Sequence, residues 1–478
     1  MIRLTLASMA THRRIWIGAL LVAIVASAAL SLAAGVVQTG VDMLALDPAD
    51  LVRSSGLTEL PPGFDQAQAA QLFFAAYASL GAGVVVVTSV AVVSVVNTVT
   101  NLTVELQRRE YALWQLAGVS PRRITAVVRL QIALVSAVGG LVGGFSGFLF
   151  VGPVLDWALG SASGLPRIPV VYTAVDALCC VAVVVLLASF GARRSTRAAG
   201  RVLAIEALRG PSRSATRMTA TRWVLAVAAL AVAVLGIGSS GSVPLGDAGS
   251  NAMYGALAAV VVVVAVAPVL TPLVLRSWTA LVPPRRSASW YLARNTVRYD
   301  LTRSTSTVTV MVIAIALPAV LTAVDTVTGS ASAAGAGDAP ASGGALGLQA
   351  LVLLVGGAIA TALGGATASV SMSSSVRDRE HALIRSAGGT HGGVVLTALS
   401  EAVVLTGTAL IEAVVVVLVV GVGLTTVLAS GHPLVRPDFG IPVLSVMCLT
   451  AFVLVALATV VPTVLALRQR LVPLLAAD

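Results

Sequence analysis

The sequence predicts an all-α membrane protein: ten transmembrane helices arranged as two parallel four-helix repeats plus a two-helix insert (4+2+4), with both termini cytoplasmic. Three observations predict it: a composition too apolar for water, an alternation of arginine between successive loops, and a ten-residue motif that returns later in the chain. Of the 478 residues, 57% are hydrophobic and 10% charged, with a mean hydropathy of +0.97. Soluble domains carry about 25% charged residues, so this chain cannot solvate the surfaces that its length would require.

A spanning helix needs roughly 20 mostly apolar residues. Runs of that kind lie near 15–37, 72–98, 124–151, 170–192 and 223–240, then near 252–275, 305–328, 347–372, 393–429 and 441–467. The first follows Arg13 and Arg14 and contains Ala26, Ser27 and Ala28, but it is longer than a signal-peptide core, so it reads as an uncleaved span. The ninth is long enough to be tilted or broken.

Cytoplasmic loops of membrane proteins collect basic residues. With ten spans, 27 of the 30 basic residues fall in the N-terminal segment, the loops after even-numbered spans and the C-terminal tail, and 3 in the opposite loops. All 30 are arginine. The absence of lysine excludes a Walker A loop, whose Lys reaches the β and γ phosphates, and lysine Schiff-base chemistry. The net charge of +10 is divided among several loops and a tail, which fits membrane lipid as the partner better than nucleic acid. Cys179, Cys180 and Cys448 sit in apolar runs, and His12, His381, His391 and His432 show no ligand spacing, so no metal site is expected.

The longest external segment is short, near 38–71, with Asp42, Asp47, Asp50, Glu59 and Asp65 against Arg53 alone. A substrate site would therefore be made by helices. Phe64, Leu57 and Leu60 beside Pro61 and Pro62 offer a small partner contact.

The motif Arg109, Glu110, Tyr111, Ala112, Leu113, Trp114, Gln115, Leu116, Ala117, Gly118 returns 270 residues later as Arg379, Glu380, His381, Ala382, Leu383, Ile384, Arg385, Ser386, Ala387, Gly388, with six of the ten positions identical. Each copy follows the second span of a four-span group, and both groups begin inside, so the repeat is parallel. Each reads as a short helix closed by a glycine in the left-handed position. Ser120 with Pro121, and Thr390 in the second copy, then open the next span. A turn accounts for the glycines; the repeated Arg and Glu point to a partner-binding element.

Arg109, Glu110, Ala112, Leu113, Ala117 and Gly118, followed by Pro121, Arg122, Arg123 and Ile124, resemble the signature of FtsX-like permeases, membrane subunits of MacB- and BceB-class ABC transporters. Leu292, Ala293, Arg294 and Asn295 before span seven are similar to that family's interfacial helix, with Arg3–Arg14 as a degenerate counterpart before span one. Glu206, Ala207, Leu208 and Arg209 resemble its motif after the fourth span, and Glu401 sits where the family often has a Glu early in a third span.

The resemblance implies a permease in the bacterial plasma membrane that is itself no enzyme and binds no cofactor. A separate cytoplasmic ABC ATPase, in two copies, would bind ATP and Mg, and the permease would couple hydrolysis to export or extraction of a hydrophobic or amphipathic drug, lipid or peptide. The docking elements are then helices 105–118 and 376–388, with Arg108, Arg109, Glu110, Leu113, Arg122, Arg123, Arg379, Glu380, Leu383 and Arg385 as contact residues. The expected divisions are a first repeat over 1–200, a linker and insert over 201–285, and a second repeat over 286–478. The chain departs from the pattern in three places. Gln131 replaces a Glu in the first repeat, Gly392 and Gly393 replace the basic pair in the second, and the loop 329–346 is too short for a large external domain.

Inside the bilayer, Gly139, Gly143 and Gly147 share one face of span three, with Gly140 and Gly144 beside them, a pattern that lets helix backbones approach closely. Asp176 and Asp325 lie nearer the outer ends of their spans. Glu412 lies near the middle of span nine, where an acid costs about 2.5–3.5 kcal/mol on insertion scales. It also suits an alternative function, a proton-coupled secondary transporter. A third reading is an FtsX-type signalling or mechanotransmission subunit acting on an external partner.

Overall fold

The computed structural model describes residues 13–42, 66–160, 170, 172–199, 218–242, 245–283, 287–299, 301–335, 348–372, 386, 388–429, 435 and 437–467. Among these residues there are twelve α-helices and no strand: α1 (Arg13–Asp42), α2 (Gln66–Leu106), α3 (Arg108–Leu116), α4 (Pro121–Gly160), α5 (Ala174–Ala199), α6 (Ala220–Ser239), α7 (Leu245–Leu281), α8 (Ala288–Tyr299), α9 (Leu301–Gly335), α10 (Leu348–Met372), α11 (His391–Ala429) and α12 (Ile441–Leu467). All except α3, α5 and α8 are long and apolar enough to cross a membrane.

Helix α5 contributes a shorter apolar stretch, Ala174–Phe190, in place of the run predicted over 170–192. Its start is fixed by a reciprocal cap. The Thr173 backbone N–H and hydroxyl both donate to the Asp176 carboxylate (2.8 and 2.7 Å), and the Asp176 N–H returns to the Thr173 hydroxyl (3.3 Å). Asp176 is thus a capping residue.

The helix pairings repeat. In the first half α1 packs on α2, α4 and α5, while α5 also packs on α2 and α4. In the second, α9 packs on α10, α11 and α12, while α12 also packs on α10 and α11. The halves meet mainly through α10, which lies against α1 and α2, and α7 fastens α6 to α9 and α11. This enclosure buries α9 within protein over 94% of its most apolar window, against 17% for α6 and for α12. Helix α9 is apolar all round from Val308 to Leu317 apart from Thr309, as suits a helix with protein on every side.

The glycines of α4 set its distance from two neighbours. A Cβ on Gly143 would stand 2.2 Å from the Ile24 carbonyl oxygen of α1, and one on Gly139 would stand 2.6 Å from the Ala23 Cβ. A Cβ on Gly147 would meet the Tyr172 ring at 2.8 Å and the Ser31 Cβ at 2.9 Å. Gly140 and Gly144 turn instead toward α5, at Val181 and the Ala177 carbonyl. The Ser27 hydroxyl donates to the Gly140 carbonyl (2.9 Å), and the Tyr172 hydroxyl to that of Gly144 (2.8 Å).

Candidate functional site

Helix α2 ends at Leu106, Gln107 turns the chain, and α3 begins only at Arg108, so the docking helix expected over 105–118 is shorter and separate from the span. Its buried side is Tyr111 and Ala112. The Tyr111 hydroxyl donates to Gln107 Oε1 (2.5 Å), and its ring meets that of Trp114 edge-on at 5.8 Å. Burial first, then the neighbouring Glu110 charge, push the Tyr111 phenol well above its ordinary ionisation range.

The C-terminal end of α3 is a Schellman turn. The Gly118 N–H donates to the Gln115 carbonyl (3.0 Å) and the Val119 N–H to that of Trp114 (2.9 Å), with Gly118 at φ +86°. Pro121 then takes the first position of α4, and the Ser120 carbonyl accepts from the N–H groups of Arg123 and Ile124. The outward surface of this turn carries Leu113 (50% exposed) and Leu116 (58%), with exposed Arg122 and Arg123 on the first turn of α4. Glu110 is half-buried. The side chains of Arg108 and Arg109 lie outside the described residues.

In the second half, Arg379, Glu380, Leu383 and Arg385, and with them most of the expected helix 376–388, also lie outside the described residues. What is described there repeats the first half in register. Gly388 has φ +91°, the Thr390 hydroxyl accepts from the Gly393 N–H (3.1 Å), and α11 starts at His391, just as α4 starts at Pro121. The interval of 270 residues therefore holds at the glycine and at the helix start. It also aligns Gln131 with Glu401, and both are buried. Neither amide atom of Gln131 makes a hydrogen bond among the described residues. Gly139 and Gly143 align with Ala409 and Ala413, also buried.

Glu412 lies inside α11, 1% exposed, opposite the buried Thr271 of α7, and neither of its carboxyl oxygens completes a hydrogen bond among the described residues. Pro268 and Pro272 flank Thr271 and interrupt the backbone ladder of α7. One turn along, the Trp278 indole N–H donates to the Thr408 hydroxyl (2.9 Å) over Gly407, whose missing side chain admits the ring. Sequence reading did not anticipate this α7–α11 contact; its only signal was a glycine beside a threonine in an otherwise branched apolar run.

A bundle of span-length helices with almost no internal charge defines a multi-pass membrane protein, of the kind found in the bacterial plasma membrane. Residues 81–199, from the apolar part of α2 through α5, match the family model described as FtsX-like permease C-terminal. None of the curated proteins matches the chain. FtsX-like permeases are generally non-catalytic membrane subunits that work with a cytoplasmic ATPase. The matched segment contains the whole α3 turn.

Proposed function

We propose that the chain is the permease subunit of an ABC transporter, ten-spanning with a 4+2+4 order and cytoplasmic termini, in which α3 and its counterpart before Gly388 dock a separate ATPase. The observation that carries this is the turn built twice. Gly118 and Gly388 share one backbone angle, 270 residues apart, and each is followed at the same distance by the start of a long span helix. The matching helix pairings of the two halves support the division into repeats over 1–200 and 286–478, with 201–285 as linker and insert.

At the first site, α3 is held to the bundle by Tyr111 and presents Leu113, Leu116, Arg122 and Arg123 outward, an apolar pair beside two positive charges. Arg108, Arg109 and Glu110 complete it by sequence. At the second, Arg379, Glu380, Leu383 and Arg385 form the corresponding set, without a basic pair at Gly392 and Gly393. Two sites call for two ATPase copies, which hold the ATP and Mg. Closure of the ATPases would move α3 and, through Pro121, tilt α4 against α1 along the glycine face. The cargo class is a hydrophobic or amphipathic drug, lipid or peptide.

The test is purification of the chain with its ATPase: ATP hydrolysis absent from the chain alone, present in the complex, and two ATPase chains per permease. The buried Glu412 favours a second reading, proton-coupled transport, and full transport by the isolated chain in a proton gradient would select it. Copurification with an external hydrolase, with no transported substrate, would select the signalling role.

A further inference from the structure

Helix α8 lies between α7 and α9 and packs along the start of α11, where the Ser289 hydroxyl donates to the Gly393 carbonyl (3.3 Å). Ser289, Ala293 and Val297 form its buried stripe, and Tyr291 and Tyr299 stay exposed. An amphipathic helix edged by aromatic rings lies in the plane of the membrane interface.

Beside the buried stripe run Trp290, Arg294 and Arg298, each four residues from the next and therefore on one side of the helix. Trp290 Nε1, Arg294 Nε and Arg298 Nε are all shielded from solvent, and none has an acceptor among the described residues. Arg298 is fixed from its other end, donating to the Arg276 carbonyl and the Thr279 hydroxyl (2.9 Å each). Burial, then the like charges of Arg294 and Arg276, lower its proton affinity. From Arg276 to Arg303 the sequence holds six arginines against one acid, Asp300, which lies outside the described residues. Three shielded donors in a row and convergent positive charge suit an acceptor-rich anion.

We propose that Trp290, Arg294, Arg298 and Arg276 bind the phosphate of an anionic phospholipid headgroup. A phosphodiester supplies the missing acceptor oxygens, and guanidinium groups match phosphate geometry. The place of α8, at the ends of span-length helices with tyrosines along its exposed edge, selects a lipid over a free anion, because the acyl chains continue along the bundle. Basic pockets between spans bind anionic headgroups in this manner.

The test is the thermal unfolding of the full chain in mixed micelles containing phosphatidylglycerol, phosphatidylcholine or inorganic phosphate at matched phosphate concentration. Phosphatidylglycerol alone is expected to raise the midpoint. Arg294→Gln, which leaves the bonds of Arg298 to α7 in place, should weaken that response about tenfold in lipid concentration, as for one lost charge-assisted hydrogen bond. Trp290→Phe keeps an aromatic ring where Trp290 meets Trp278 edge-on at 5.9 Å and removes the N–H with its five-membered ring, so it gives the same comparison, with a smaller shift, should Arg294→Gln fail to fold. Equal stabilisation by phosphatidylcholine, or an unchanged response in the variant that folds, would overturn the proposal. A response to inorganic phosphate without one to phosphatidylglycerol would assign a free anion and overturn the lipid.

Discussion

Gly118 and Gly388 hold the same left-handed backbone angle, +86° and +91°, and a side chain at either would meet nothing within 4 Å. Replacing either by Ala therefore costs backbone strain without a clash, about 1–2 kcal/mol. Thermal midpoints in detergent should fall by similar amounts in Gly118→Ala and Gly388→Ala. A loss at one position only would break the equivalence of the two turns.

Gly143 of α4 and Gly249 of α7 should respond to Ala with opposite signs. The new Cβ at Gly143 would lie 2.2 Å from a carbonyl oxygen of α1, which forces the helices apart at about 1–3 kcal/mol. At Gly249, which no proline directly follows, it would meet nothing within 4 Å, so the higher helix propensity of Ala should stabilise by up to about 1 kcal/mol. Comparing the two unfolding midpoints checks this.

Tyr111→Phe removes the hydroxyl that donates to Oε1 of the buried Gln107, so the variant should lose about 1–3 kcal/mol. In the native protein the Tyr111 phenol is raised above its unfolded value of 10.0, so its contribution is full below that pH and is lost as pH rises beyond it. Stability should accordingly decline above pH 10.0 in the parent and decline less steeply in Tyr111→Phe.

The ten-span order is checked by single cysteines in a background lacking Cys179, Cys180 and Cys448. Ser55, Leu245 and Gly335 should label from outside, and Gln115, Ile205 and Arg385 from inside. A reversal at any of these sites contradicts the order.

Hydropathy located every long helix, because ten apolar runs have few other uses in a chain this poor in charge. It did not distinguish α9, enclosed on every side, from α12, of which little is buried. Lipid tails are as apolar as a protein interior, so both environments select the same residues. The glycine at 118 was legible because a left-handed helix end strongly favours that residue. The hold of Arg298 on Arg276 and Thr279, and of Trp278 on Thr408, was not, since each joins side chains whose proximity is decided by helix packing. Glu401 and Gln131 were legible as a register pair but not in their burial.

Docking of the ATPase on the α3 turn and its repeat is tested most directly by copurification of the ATPase with the double variant Glu110→Arg, Glu380→Arg. Exposed ion pairs contribute about 0–1 kcal/mol, whereas a charge left unpaired in a desolvated interface costs several. The expected result is a folded, membrane-inserted permease with reduced ATPase bound. Separate single variants should show the larger loss at Glu110, since Arg122 and Arg123 add contacts there that Gly392 and Gly393 cannot. Normal assembly and normal coupled turnover in the double variant would contradict it and leave these helices as turns alone.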